Sequence, residues 1–152
     1  YLDLNYFKAF NDRYGFQRGD QVIKATANLL VRIVKAEGDD TDFVGHIGGD
    51  DFMVITTPGR ADTICQRIVR EFDAMARALH DKPEQDQGFF LGTDRRGNAV
   101  KVPLLSMAIA LVTNEQRAFT HAGEIASVGA ELKQYAKQSD GSRYVRERRK
   151  DA

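Results

Sequence analysis

The run Gly48-Gly49-Asp50-Asp51-Phe52 concentrates more potential chemistry than any other stretch of this chain. It lies between two apolar β-type segments, Asp42-Phe-Val-Gly-His-Ile47 and Phe52-Met-Val-Ile-Thr-Thr57. Two glycines permit the positive φ angles of a tight hairpin and leave its tip bare, so a bulky anion can approach the main chain. The two carboxylates that follow place negative charge at that tip, where a divalent cation can bridge them to a phosphate. By itself Gly-Gly-Asp-Asp is equally a hairpin turn carrying solvated acids.

The amino-terminal segment, Tyr1-Leu-Asp-Leu-Asn-Tyr-Phe-Lys-Ala-Phe-Asn-Asp-Arg-Tyr-Gly-Phe-Gln-Arg-Gly-Asp20, shifts that balance. It resembles the opening of the GGDEF family of diguanylate cyclase domains, with Asp3, Phe7, Lys8, Asn11, Asp12, Gly15, Gly19 and Asp20 matching the family pattern. The glycine hairpin, as a GGDDF variant, follows at the family's distance. Ser106-Met-Ala-Ile-Ala110 and Ala130-Glu-Leu-Lys-Gln-Tyr-Ala-Lys137 resemble its last central strand and last helix. The resemblance implies a ferredoxin-like nucleotidyl cyclase palm that condenses two GTP molecules to cyclic di-GMP and releases pyrophosphate. It implies that Asp3, the carbonyl of Leu4 and Asp50 hold Mg²⁺ (or Mn²⁺), with Asp51 assisting the metal or the attacking hydroxyl. Asn11 and Asp20 would read guanine, since a carboxylate accepts from its N1–H and 2-amino group. The backbone of Tyr6, Phe7 and Lys8, the Lys8 ammonium, the bare Gly48 and Gly49, Lys137 and Arg143 would meet the phosphates.

Each of these residues also has a plainer role. Asp3, Asp50 and Asp51 serve as turn acids, Asn11 as a turn residue, Asp20 as a helix N-cap and Lys137 as a surface lysine. Only their joint spacing favours chemistry. Two departures from the family pattern stand out. Asn5 takes the place of the second aspartate of the opening motif, and Asp51 stands where the family has glutamate, one methylene shorter. A carboxylate misplaced by about 1 Å can cost roughly a hundredfold in rate. The spacing after Lys137 also differs, which makes the match at Arg143 looser.

The 152 residues, of which 42% are hydrophobic and 29% charged, allow one domain with a real core. The expectation is a single GGDEF-type domain over 1–152, with the amino-terminal part of the domain missing. Twenty-two basic and 22 acidic side chains cancel, which gives no general attraction to nucleic acid or to a membrane surface. Cys65 is the only cysteine, so no internal disulfide forms; helical patterning makes it a small buried residue. The absence of a membrane-length apolar run implies a cytoplasmic domain, a reading compatible with membrane anchoring of the full-length protein.

The elements that must position these residues follow from periodicity. A strand covers 1–5, a short helix Phe7 to Tyr14, and a longer helix starts at Gly19-Asp20 with Asp20 as N-cap. After the hairpin, Arg60 to Leu79 is helical, His80 to Gly88 is a loop, and Phe89–Leu91 and Val100–Val112 are strands. A last helix over Ala122 to Lys137 turns Ile125, Val128, Leu132 and Tyr135 inward, before a strand at Arg143–Val145. Two hairpins among these strands predict an α+β fold with a mostly antiparallel sheet flanked by helices. His46, His80 and His121 have no partner at metal-ligand spacing and read as structural or surface residues. Arg146-Glu-Arg-Arg-Lys150 reads as a frayed, solvated basic tail.

The resemblance further implies a homodimer, because each domain holds one GTP and two must face each other, and a sensory or receiver domain upstream. The alternative is a catalytically weak or inactive module that binds GTP and regulates an attached domain. Many family members carry an inhibitory product site, Arg-x-x-Asp, ahead of the glycine pair. Here that stretch is Asp39-Asp-Thr-Asp42, and an aspartate in place of the arginine repels phosphate, so no product binding is expected there. These acids read as a solvated loop.

Overall fold

β1 (Leu2–Asn5) carries four consecutive buried residues, which a strand tolerates only when both its edges and both its faces are covered. The computed structural model, which describes residues 1–149, places β1 at the centre of a five-stranded sheet in the order β2-β3-β1-β6-β7. β2 (Phe43–Gly48) and β3 (Asp51–Ile55) form the glycine hairpin, and β3 lies antiparallel to β1. β6 (Ser106–Leu111) is antiparallel to β1 on its other edge, while β7 (Arg143–Arg146) is parallel to β6. The parallel pair needs a crossover, which the last helix, α5 (Ala122–Ala136), supplies.

Leu2, Leu4, Phe52, Met107 and Ile109 project from one face into a core shared with α2 (Phe16–Glu37) and α3 (Pro58–Ala78). Leu30, Ile33, Ile64, Ile68 and Phe72 recur at helical spacing and are almost wholly excluded from solvent. Cys65 is buried among them, and burial pushes its thiol up to about 12. α5 covers the β6 and β7 end of the opposite face, where Ala108 and Ala110 keep the sheet surface low. Gly129 lets that helix approach Tyr1, since a Cβ there would fall 2.6 Å from the Tyr1 ring.

Several expected boundaries move. α2 begins at Phe16, so Asp20 is not an N-cap: Gly15, at φ 85°, already breaks the chain after α1 (Phe7–Tyr14). Gly19 sits inside α2 because the Asn11 side chain packs against its bare Cα. Part of the expected His80–Gly88 loop is a helix, α4 (Lys82–Gln87), with Pro83 in its first turn and Gly88 in a left-handed cap; it is too short for periodicity to reveal. The expected long strand breaks at Leu104-Leu105 into β5 (Ala99–Pro103), which pairs with β4 (Phe89–Thr93) in a separate two-stranded sheet, and β6. Tyr135 is 53% exposed rather than inward; Gly129, Lys133 and Ala136 turn toward the sheet instead.

His80 is a structural residue at this junction. Its Nε2 accepts the Leu105 backbone N–H at 3.1 Å, and burial pushes its pKa down to about 4. The carboxy-terminal basic stretch is not frayed over the described residues. Arg146 pairs with Asp62 and Glu115, and Arg149 with Glu131 and the buried Glu147; Lys150 lies outside the described residues.

Candidate active site

The register of the sheet assembles the site. Asp3 lies directly opposite Asp51 on one side and opposite Ala108 on the other, and Ala108 opposite Arg143. Because side chains alternate along a strand, these four share the face that α5 partly covers. The resemblance pairs Asp3 with Asp50, but Asp51 is the residue in register with it. Asp50 follows one position earlier in the turn, where its carbonyl accepts the Leu4 N–H at 3.2 Å.

The hairpin tip is built for closeness. Gly48 and Gly49 have φ of 146° and 56°, and nothing lies within 4 Å of where their Cβ atoms would be. His46 braces the turn by stacking on Phe52 with ring centroids 4.7 Å apart, and its Nε2 lies 2.9 Å from the Gly49 carbonyl oxygen. Asp50 is half-buried there. Burial raises its pKa, and the neighbouring charges of Asp3 and Asp51 raise it further, against opposition from its own backbone N–H and Lys137.

Two lysines one turn apart, Lys133 on α5 and Lys137 at its C-cap, meet these acids. The Lys133 ammonium donates to Asp51 Oδ1 at 2.6 Å and to Asp3 Oδ2 at 3.3 Å. Burial alone lowers its pKa, but the hydrogen bond to Asp51 and the charges of Asp3 and Asp51 outweigh that and raise it. Lys137 stands 2.8 Å from Asp3 Oδ1 as an ion pair, out of hydrogen-bonding alignment, so this buried oxygen has no aligned donor. Arg143, in the same row, stacks its guanidinium over Tyr135 at 5.1 Å from the ring centroid. Among the described residues no three His, Cys, Asp or Glu side chains form a ready-made metal cage. Such an all-oxygen set of a few carboxylates suits Mg²⁺ or Mn²⁺, which commonly completes its shell with water and substrate phosphates.

The turn from β1 into α1 supplies a second feature. Tyr6 adopts φ 64°, the only positive φ outside glycine among the described residues, and a bulky side chain rarely accepts it. No side chain caps α1, so the first-turn N–H groups of Phe7, Lys8 and Ala9 have no helical partner. Phe7 packs on the core while Lys8 is exposed. One turn on, Asn11 rests on Gly19 with its Oδ1 buried and unpaired. Asp20, beside Gly19, is exposed, and its side chain makes no hydrogen bond or ion pair among the described residues. The fold thus gathers Asp3, Asp50, Asp51 and Lys137 around one point and places Asn11 beside Gly19-Asp20.

Residues 1–92 match the family model described as "Diguanylate cyclase, GGDEF domain". The chain belongs to the GGDEF family. This GGDEF domain is 36% identical over 77 residues to the signaling protein YkoW of Bacillus subtilis, covering 47% of the chain and 9% of that protein. It is 37% identical over 70 residues to the diguanylate cyclase DgcS of Shewanella oneidensis, covering 45% of the chain and 22% of that protein. The chain therefore spans about a quarter or less of the length of the curated relatives it matches. Among solved structures, the GGDEF domain of DgcB from Caulobacter crescentus, in complex with c-di-GMP, matches with a TM-score of 0.54 at 18% identity, covering 95% of this chain and 74% of that one. The diguanylate cyclase SiaD of Pseudomonas aeruginosa, in complex with its activator SiaC, matches with 0.56 at 19%, covering 95% and 48%. At these identities the structures establish the α+β fold with its mixed central sheet.

Three features of the GGDEF domain were not read from sequence. Lys133 was overlooked, although its spacing of four from Lys137 puts both on one helix face. Asn5 points to the same face as Asp3 and donates to Ser106 Oγ at 2.9 Å, so the missing second aspartate is a strap between β1 and β6. Asp39 and Asp42 are not a solvated loop. Arg60 from α3 reaches both, at 2.8 and 3.2 Å, and the Asp42 side chain is 1% exposed. No sequence pattern announces an arginine that arrives from the next helix. No helix among the described residues is long and apolar enough to cross a membrane.

Proposed function

We propose that this domain is the catalytic unit of a diguanylate cyclase, which joins two GTP molecules into cyclic di-GMP with release of pyrophosphate. The observation that carries the reading is the pairing of Asp3 with Asp51 in register, beside Asp50 at a bare glycine tip and with Lys137 against Asp3. Asp3 and Asp50, with the Leu4 carbonyl, would hold Mg²⁺ or Mn²⁺. When bound, the metal lowers the pKa of the attacking 3′-hydroxyl and neutralises charge on the phosphates. The buried Asp3 oxygen without an aligned donor and the desolvated Asp50 both fit that use.

The chain's own residues supply the rest. The uncapped first turn of α1 presents N–H groups to the distal phosphates, and the left-handed Tyr6 makes the turn from β1 into that helix end. Lys8, Lys137 and Arg143 add positive charge, and Gly48 and Gly49 let the triphosphate lie against the main chain. Asn11 and Asp20 bind guanine: the Asp20 carboxylate has its full acceptor capacity free, and the Asn11 amide beside it can both donate and accept. Asp51 orients the metal or the attacking hydroxyl. Since each domain holds one GTP, two domains must face each other, and the active form is a homodimer that a sensory or receiver domain would assemble.

Titration with GTP and Mg²⁺ tests nucleotide binding, and product analysis tests turnover. Cyclic di-GMP together with pyrophosphate is the expected outcome. Binding without turnover in the dimer would leave a regulatory GTP-binding module; absence of binding would overturn both.

A further inference from the structure

Lys133 occupies a position that the proposed chemistry does not use. Its ammonium lies between the two carboxylates that face each other across β3 and β1, in contact with both. It is more enclosed than Lys137, with 21% of its side chain exposed against 43%, and it alone bridges two strands. Asp3 thus has one oxygen claimed by Lys133 and the other faced by Lys137, while Asp51 has an oxygen taken up by Lys133. Asp50 touches neither lysine. An aspartate at 51 stops one methylene short of a glutamate, and the Lys133 ammonium stands against its oxygen at 2.6 Å. A divalent ion shared by Asp3 and Asp50 would sit within a few ångströms of that ammonium. Two like charges at such a distance in a half-buried site repel by more than thermal energy.

We infer that Lys133 is a tethered counter-cation that competes with free divalent metal for Asp3 and Asp51 and yields when a nucleotide offers its phosphates. The inference rests on the reading of Asp3 and Asp50 as metal carboxylates. It makes Lys133 a positioning residue. In the resting domain it holds the facing acids together against their mutual repulsion, and it keeps the site from closing on metal alone. Metal and nucleotide then bind with positive coupling, because the phosphates draw the ammonium away from the carboxylates the metal needs.

The test is a Mn²⁺ titration of the nucleotide-free protein, followed by the electron paramagnetic resonance signal of the free ion. Lys133→Met keeps the stem and removes the charge; it is expected to bind Mn²⁺ about tenfold more tightly than wild type. Lys133→Arg keeps the charge and is expected to bind no more tightly than wild type. Should Lys133→Met fail to fold, Lys133→Gln takes its place with the same expectation. A second readout is thermal: without metal the neutral variants melt below wild type, and Mn²⁺ raises their melting temperature more than it raises that of wild type. Equal or weaker Mn²⁺ affinity in the neutral variants would overturn the inference. Asp50→Asn separates this from failure of the underlying reading. If that variant binds Mn²⁺ as wild type does, or if no variant binds it, the metal site itself is wrong.

Discussion

At the start of β2, Asp39 and Asp42 close on Arg60. Asp39 also accepts the Thr41 hydroxyl and N–H, and the Asp39 N–H donates to Asp42 at 3.0 Å. At the other end of the same hairpin, Asp50 and Asp51 meet Asp3 with no arginine in contact. There Lys133 spans two of the acids, and one buried Asp3 oxygen lacks an aligned donor. The titration behaviour separates in the same way. The Thr41 hydrogen bonds and Arg60 hold Asp39 below the usual carboxylate range; Asp42 is also low, since the Asp39 N–H and Arg60 outweigh its desolvation. Burial and like charge instead push Asp50 up. In one cluster both acids are ion-paired; in the other Asp50 has no ion pair among the described residues and one buried Asp3 oxygen lacks an aligned donor. A site that must accept a cation and a polyanion has to be of the second kind.

The largest effects that would break this comparison are expected at Asp3 and Asp50. Asp3→Asn removes the acid on which β1, the hairpin and both lysines converge, and turnover should fall by at least about a hundredfold. Steady-state assay of pyrophosphate release measures it, and a loss under threefold would take Asp3 out of the site.

Base choice is next in size. With Asn11 and Asp20 at the guanine edge, ATP should bind about ten- to a hundredfold more weakly than GTP, because each polar group left unpaired costs about 1–3 kcal/mol. Equal calorimetric affinities would remove both residues from base recognition.

The legible and illegible parts of this molecule divide by how local the cause is. The hairpin, α1 and the last helix were readable because glycines and apolar spacing act within a few residues. From sequence the long helix starts at Gly19-Asp20 rather than after Gly15, because only tertiary structure shows Asn11 filling the missing Cβ of Gly19. The candidate acids were readable through family spacing, but which of them stands opposite Asp3 was not, because the β1–β3 register that puts Asp51 there is a pairing between strands far apart in sequence. Lys133 and Arg60 escaped because each reaches its acids from a helix distant in sequence. On α5, Val128 is buried and Ile125 and Leu132 are half-buried as expected, and only Tyr135 departs, since the small Gly129 and Ala136 are buried beside Val128.

A smaller effect sharpens the contrast at Asp51. Asp51→Glu should raise turnover severalfold by carrying the carboxylate about 1 Å closer to the reacting groups. A fall would show that the tip is fitted to the shorter acid and its Lys133 partner. Least of all for catalysis, Arg60→Ala should leave turnover unchanged and lower the melting temperature at neutral pH. The depressed Asp39 and Asp42 contribute stability above their unfolded pKa values and lose it as pH falls through the folded ones, so the difference from wild type should shrink in acid. Cyclic di-GMP should not bind to this loop in either protein, as a saturation titration would show.

The most direct measurement sets one end of the hairpin against the other: cyclic di-GMP formation from GTP and Mg²⁺ by the dimeric protein, comparing Asp50→Asn with Asp39→Asn. The account predicts no product from Asp50→Asn and wild-type production from Asp39→Asn, with both variants folded. Equal production by the two, or loss confined to Asp39→Asn, would contradict it.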